Sequence, residues 1–241
     1  MTYTLQRGRL LQARWVPSPN CSPRPPGCAP DLLVIHNISL PPGRYGGGCI
    51  ERFFTNCLDW EEHPYFGEIR GLRVSAHLLL QRDGELLQFV SFDERAWHAG
   101  TSCFRGRRDC NDYSIGIELE GADEDPYTEV QYQRLALVTR ALLLHYTGLH
   151  PDRIVGHCDI APGRKSDPGP AFDWRRYRAD LMARPSAPSL QEGRPVQRAA
   201  ASGESSAAGE EPSAGEEPSA GEEPSADKEP SADKEPSANR E

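Results

Sequence analysis

The 241-residue sequence has no Cys-x-x-Cys pair; its seven cysteines, at positions 21, 28, 49, 57, 103, 110 and 158, stand singly. That spacing excludes a zinc ribbon or a thioredoxin-like site and reads as reduced thiols. No run of about 18 apolar residues is available to span a membrane, and the segment from Met1 to Gly8 lacks the apolar core of ~7 to 15 residues that marks a secretory leader. A cytoplasmic protein without a membrane partner is expected. A basic excess is also missing. Residues 201–241 hold twelve acidic and three basic side chains, so they carry the whole formal charge of −9, and residues 1–200 balance at 24 of each sign. Phosphate-backbone binding needs a surplus of Lys and Arg, so nucleic acid is excluded as a partner.

Large apolar residues are absent from the C-terminal segment. It repeats a six-residue unit, Ala208-Gly209-Glu210-Glu211-Pro212-Ser213, again from Ala214 and Ala220, and drifts to Ala226-Asp227-Lys228-Glu229-Pro230-Ser231. Nothing there offsets a backbone entropy of ~1 to 2 kcal/mol per residue, so an acidic, disordered tail is expected over 201–241. A Pro- and Ser-containing linker is expected over 184–200. Residues 1–183 remain, a length suited to one domain with one core.

Within that domain, Leu32-Leu33-Val34-Ile35 is a continuous apolar run of the kind found in a strand covered on both faces, and it delivers His36 at its end. Ile50 to Phe54 reads as a short helix after a Pro/Gly-rich loop from Pro41 to Gly48. Arg82-Asp83-Gly84 separates two strand-like runs as a hairpin turn. From Tyr113 to Glu120 the sequence alternates. Tyr113, Ile115, Ile117 and Leu119 take one face, while Ser114, Gly116, Glu118 and Glu120 take the other, where the glycine leaves room beside two carboxylates.

Thr128-Glu129-Val130-Gln131 has the form of a capping box, and Val130, Leu137, Ala141 and Leu144 recur at helical spacing, predicting a helix to about Tyr146. A short strand over Arg153 to Gly156 leads into the His157 loop, and Phe172 to Met182 reads as a closing helix. Strands interspersed with helices point to a mixed α/β domain.

The chemistry concentrates in Gly156-His157-Cys158-Asp159 through Lys165-Ser166-Asp167-Pro168, where a histidine, a lysine and a carboxylate share one Gly/Pro-stiffened loop. With His36 this makes two imidazoles and one carboxylate. Hydrolytic zinc sites use three such ligands and leave a fourth position for water, whose pKa falls toward ~7. Spacing alone says little, because the three come from separate segments and a lone histidine is more often structural. By residue type, His77 and His98 are further candidate ligands, read here as packing or hydrogen-bonding histidines. Cys158 is read as a spectator thiol, because neighbours on an extended strand point oppositely.

Five segments in order, Val34 to Gly43, Arg73 to His77, Ala96 to Gly100, Asn111 to Gly121 and His157 to Asp167, together resemble the zinc amidases of the N-acetylmuramoyl-L-alanine amidase type. Within these the match is with the cytoplasmic enzymes that act on 1,6-anhydro-N-acetylmuramyl-L-alanine in cell-wall recycling. The similarity runs from about Gly8 to Arg184. It implies a central mixed β-sheet flanked by helices, the fold shared with peptidoglycan recognition proteins. It also implies one Zn2+ on His36, His157 and Asp167, and a monomer.

The resemblance puts Glu118 in the place of the catalytic carboxylate, as general base, and Lys165 in that of the residue stabilising the oxyanion. Pro168 is expected to hold the lysine's loop extended. Substrate contacts fall on Asn37, Arg73 and Trp97. Relatives carry Arg just before the Cys-Asn-Asp triplet where this chain has Asp109, so Arg108 or Arg107 takes that role. The expected reaction is hydrolysis of the amide between 1,6-anhydro-N-acetylmuramic acid and the L-Ala of the stem peptide. The alternatives are Glu120 as the base, an exported amidase acting on intact peptidoglycan, a non-catalytic peptidoglycan-binding protein, and a cysteine hydrolase built on Cys158.

Overall fold

The computed structural model describes residues 3–183. The expected linker at 184–200 and tail at 201–241 lie outside the described residues. Six strands form the main sheet: β1 (Arg14–Trp15), β2 (Leu32–Ile38), β3 (Leu78–Leu80), β4 (Leu86–Gln88), β5 (Ser114–Glu120) and β6 (Ile154–Gly156). Their spatial order is β6-β2-β5-β3-β4-β1. Strands β6, β2, β5 and β3 run parallel, β3 and β4 are antiparallel, and β1 is parallel to β4. The mixed α/β architecture expected from the sequence is present.

Five helices accompany the sheet among the described residues: α1 (Cys49–Phe54), α2 (Pro64–Glu68), α3 (Glu129–His145), α4 (His157–Ile160) and α5 (Trp174–Met182). The central strands are covered on both sides. Leu33, Ile35, Ile115, Ile117 and Leu119 pack against Leu135, Val138 and Leu142 of α3 and Tyr177 and Leu181 of α5. On the other side, Leu79 and Leu87 meet Phe53, Phe54 and Phe66 from α1 and α2. Burying each such Leu, Ile or Phe stabilises the fold by about 1.5–3 kcal/mol.

The Asp-Gly hairpin and the capping box form as expected. Thr128 Oγ1 accepts the Gln131 N–H at 3.3 Å, and the Gln131 Oε1 accepts the Thr128 N–H at 3.0 Å. Two details differ. Tyr113 does not share the face of Ile115 and Ile117: it ends a 3-10 turn over Cys110–Asp112 with ψ 8°, which breaks the alternation, and it packs with Leu32 and Val34 instead. The buried stripe of α3 is also not the one read from apolar spacing, because Leu144 is 87% exposed while Gln131 and Thr139 are buried. Polar groups are tolerated inside because they are paired. Gln131 Nε2 donates to the carbonyls of Leu80 and Glu120, and the Thr139 and Tyr177 hydroxyls bond at 2.8 Å.

Candidate metal centre

Strand periodicity brings the site together. In the parallel pair β2–β5, Glu118 is the register partner of His36, and in β2–β6, Gly156 is the partner of Ile35, so His157 follows beside His36. Glu118, His36 and His157 thus lie at the carboxyl ends of three adjacent parallel strands, where open α/β sheets place their ligands. The fourth group arrives from the loop after α4. The Cys158 N–H donates to the Asp167 carbonyl at 3.0 Å, and a Cβ on Gly156 would stand 2.8 Å from Pro168 Cδ, so glycine permits the loop to lie against β6.

His36 Nδ1 lies 3.0 Å from His157 Nδ1 and 3.0 Å from Asp167 Oδ2, and the third side of the triangle, His157 Nδ1 to Asp167 Oδ2, is 3.1 Å. A tetrahedral zinc with bonds of about 2.0–2.2 Å sets its ligand atoms about 3.3–3.6 Å apart, so a small outward relaxation fits the triangle to the ion. The lone pairs agree with the spacing. His157 Nε2 lies 3.1 Å from the Ala99 carbonyl, which only an N–H can satisfy, so Nδ1 is left bare toward the triangle. Burial holds His36 neutral, pushing its pKa down to about 4. Burial also opposes the Asp167 charge, but the His157 and His36 rings against its Oδ2 outweigh that and keep this carboxyl well below its ordinary range. This is the one cluster of metal-ligating geometry among the described residues.

The triangle opens into a cavity of about 390 Å³. His36, Glu118, His157, Lys165 and Asp167 contribute its polar end, and Phe53, Tyr65, Ile69, Leu72, Val74 and Trp97 contribute an apolar wall. Glu118 is 9% exposed and its Oε2 has no hydrogen-bond partner among the described residues. Burial pushes its carboxyl well above the usual range; the nearby Asp167 carboxylate adds to the shift and the Lys165 ammonium offsets part of it. Glu120 faces the same way but is committed elsewhere. It accepts the backbone N–H groups of Gly46 and Arg82, pinning the loop that precedes α1.

The expected contact residues divide. Asn37 and Trp97 line the cavity, although Asn37 spends its amide N–H groups on Asp123 Oδ1 at 2.8 Å and on the Pro168 carbonyl at 3.1 Å, bracing the loop that carries Asp167. Arg73 is exposed between two cavity-lining residues, Leu72 and Val74. Arg107 pairs with Asp31 at 3.1 Å and stacks on the Tyr113 ring, whereas Arg108 is exposed on the same two-residue strand. His77 is a packing histidine: its Nδ1 accepts the Gly116 N–H at 3.0 Å, and its Nε2–H faces the Glu94 carbonyl at 3.1 Å.

Cys158 is outside the His36–His157–Asp167 triangle, though not by strand alternation, because His157 begins α4 and the helical turn sets the direction of the thiol. The partners of two residues, one of them the hydrogen-bonding His98, were not legible in the sequence. Gly116 makes room for the His98 ring and not for the carboxylates: a Cβ there would lie 2.5 Å from that ring. His98 in turn reaches His36 Nε2 at 2.9 Å. Neither contact has a signature in local spacing.

The family model described as N-acetylmuramoyl-L-alanine amidase matches residues 26–170. The 1,6-anhydro-N-acetylmuramyl-L-alanine amidase AmpD of Escherichia coli (strain K12) is 59% identical over 174 residues, covering 72% of this chain and 94% of that protein. The enzyme of the same description from Haemophilus influenzae is 51% identical over 173 residues, covering 72% and 94%. A crystal structure of the selenomethionine derivative of AmpD superposes with a TM-score of 0.72 at 56% identity, covering 74% of this chain and 99% of that one. With the His36–His157–Asp167 triangle, the buried glutamate and this similarity in view, the chain belongs to the N-acetylmuramoyl-L-alanine amidase family.

Proposed function

We propose that the protein hydrolyses the amide between 1,6-anhydro-N-acetylmuramic acid and the L-Ala of a stem peptide, using one Zn2+ held by His36, His157 and Asp167. The observation that carries this reading is the convergence of His36 Nδ1, His157 Nδ1 and Asp167 Oδ2 beside Glu118, whose Oε2 has no partner among the described residues. The substrate class comes from relatives whose names state it. When bound, the zinc supplies Lewis-acid polarisation of the scissile carbonyl and acidifies the attacking water.

The side chains do the rest. Glu118 removes a proton from the water as the new C–O bond forms. Its raised pKa then suits it to return that proton to the L-Ala nitrogen as the C–N bond breaks. Lys165, at the same end of the cavity, offsets the negative charge that develops on the carbonyl oxygen. Trp97 and the aliphatic wall exclude water from the sugar side, and Asn37 keeps its carboxamide oxygen for a substrate N–H. Arg73 and Arg108 are assigned to the stem-peptide carboxylates, a pairing that suits a guanidinium. Seven free thiols suit a reducing compartment, so we place the reaction in the cytoplasm, with the protein acting as a monomer on soluble muropeptide.

The test is to incubate the purified full chain and its E118Q variant with anhydromuramyl-peptide and with intact sacculus, assaying released peptide and bound zinc. The expected result is release from the soluble substrate, with E118Q losing about 10² to 10⁴ of turnover at full zinc content. Release from sacculus at the same rate would make it a lytic amidase. No release from either would leave a binding protein.

A further inference from the structure

We propose that His98 is a positioning residue that sets the ring tautomer and orientation of His36 for metal binding, and that Ser114 and Gly116 exist on β5 to hold His98 in that role. The proposal rests on the reading of His36 as a metal ligand.

Four contacts define the arrangement. His36 Nε2 lies 2.9 Å from His98 Nδ1, and the two rings meet edge to face at 85° with centroids 5.0 Å apart. His98 Nε2 lies 3.1 Å from Ser114 Oγ. The Asn111 Oδ1 accepts the backbone N–H groups of His98 at 3.0 Å and of Ala99 at 2.8 Å, fixing the turn that carries the ring. Ser114 and Gly116 share the strand face that also presents Glu118, and the missing Cβ of Gly116 is the space the imidazole fills.

A chain of two hydrogen bonds through one neutral imidazole can run in two directions. In the first, His36 Nε2–H donates to His98 Nδ1 and His98 Nε2–H donates to Ser114 Oγ, so His36 Nδ1 carries a bare lone pair toward His157 and Asp167. In the second, Ser114 donates to His98 Nε2 and His98 Nδ1–H donates to His36 Nε2, which puts the remaining His36 proton on Nδ1 and closes the metal position. Only the first direction is compatible with a cation on the triangle. His157 meets the same requirement through the Ala99 carbonyl, which can only accept. His36 depends on a partner that could do either, so the identity of that partner matters. A group that removes the acceptor leaves a buried His36 N–H unpaired and the ring free to turn.

The experiment measures zinc affinity by chelator competition on the full chain and on H98L, H98N, S114A and D167A. Imidazole 15N spectra of each zinc-loaded protein accompany it. H98L is expected to bind zinc about 10- to 100-fold more weakly. H98N places a carboxamide oxygen near the position of Nδ1 and is expected to recover most of that loss. S114A removes a single hydroxyl, so it should weaken zinc binding while the metal-free protein still folds, with a Tm lowered by the unpaired His98 N–H; it decides the matter if H98L does not fold.

In the unsubstituted protein the spectra should show His36 protonated at Nε2. Wild-type affinity in both H98L and S114A, equal losses in H98L and H98N, or a zinc-loaded His36 protonated at Nδ1 would each overturn the proposal. Loss of zinc in D167A alone would do so while leaving the metal centre standing. Failure of the unsubstituted chain to bind zinc would remove the metal centre itself.

Discussion

Glu118 and His36 are register partners across the parallel pair β5–β2, so the proposed base and a proposed metal ligand are side-by-side neighbours on one sheet face. The pairing gives a reason for a carboxyl that is 9% exposed, with its Oε2 unpartnered among the described residues, to sit in the core. Its place is fixed by backbone hydrogen bonds, and its chemistry depends on what sits beside it.

That position has a cost in the metal-free protein. Burial raises the folded-state pKa of Glu118 above the unfolded value of about 4.3, so the native state binds the extra proton between the two. The contribution of this group is therefore fully present below about pH 4.3 and is lost as pH rises through the folded value. E118Q, metal-free, is expected to melt above the unsubstituted protein at pH 7 and level with it near pH 4, each kcal/mol moving Tm by about 2–4 °C. Thermal melts across that range check it, and parallel curves would show that Glu118 does not titrate with an elevated pKa.

Removing a proposed ligand should uncouple zinc from stability. At a free zinc concentration of about 100 Kd, binding adds about 2.7 kcal/mol, or roughly 5–11 °C in Tm for a domain of this size. D167A is expected to show no such rise, because Asp167 supplies the only negative charge in the triangle. Calorimetry with and without zinc reads this directly. An undiminished shift in D167A would place the metal elsewhere.

Glu120 separates structure from catalysis on the same strand. E120A leaves the N–H groups of Gly46 and Arg82 without their acceptor, which is expected to cost about 1–3 kcal/mol in denaturant unfolding. Zinc content should be unaffected. Unaltered stability together with abolished turnover would transfer the role of base from Glu118 to Glu120.

Helix α3 offers a test of which face is inward. Leu142 is fully buried, and L142A is expected to cost about 2–5 kcal/mol. Leu144 is 87% exposed, so L144A should change stability by less than about 0.5 kcal/mol. Urea titration of the two variants distinguishes this packing from one built on the apolar spacing.

Local order was legible where the physics is local. The alternation from Ser114 to Glu120, the Asp-Gly turn and the Thr128–Gln131 capping box each depend on residues within a few positions, and each formed. The inward face of α3 was not legible, because paired polar groups such as Gln131 and Thr139 can be buried as readily as leucines when partners from other elements meet them. The same holds for Asn37, whose amide braces the Pro168 carbonyl 131 positions away.

By itself, the amino-acid sequence determined the inventory: two imidazoles, an aspartate, a lysine and two glutamates on segments whose periods set which face each residue takes. Only the tertiary structure decided which neighbours each of them meets. Strand register put Glu118, and not a residue one step along, beside His36; the Gly46 and Arg82 amides claimed Glu120; and the gap at Gly116 admitted His98. The reason is that a side chain's hydrogen-bonding partners are fixed by distances of about 3 Å, and chain folding sets those distances between residues far apart in sequence.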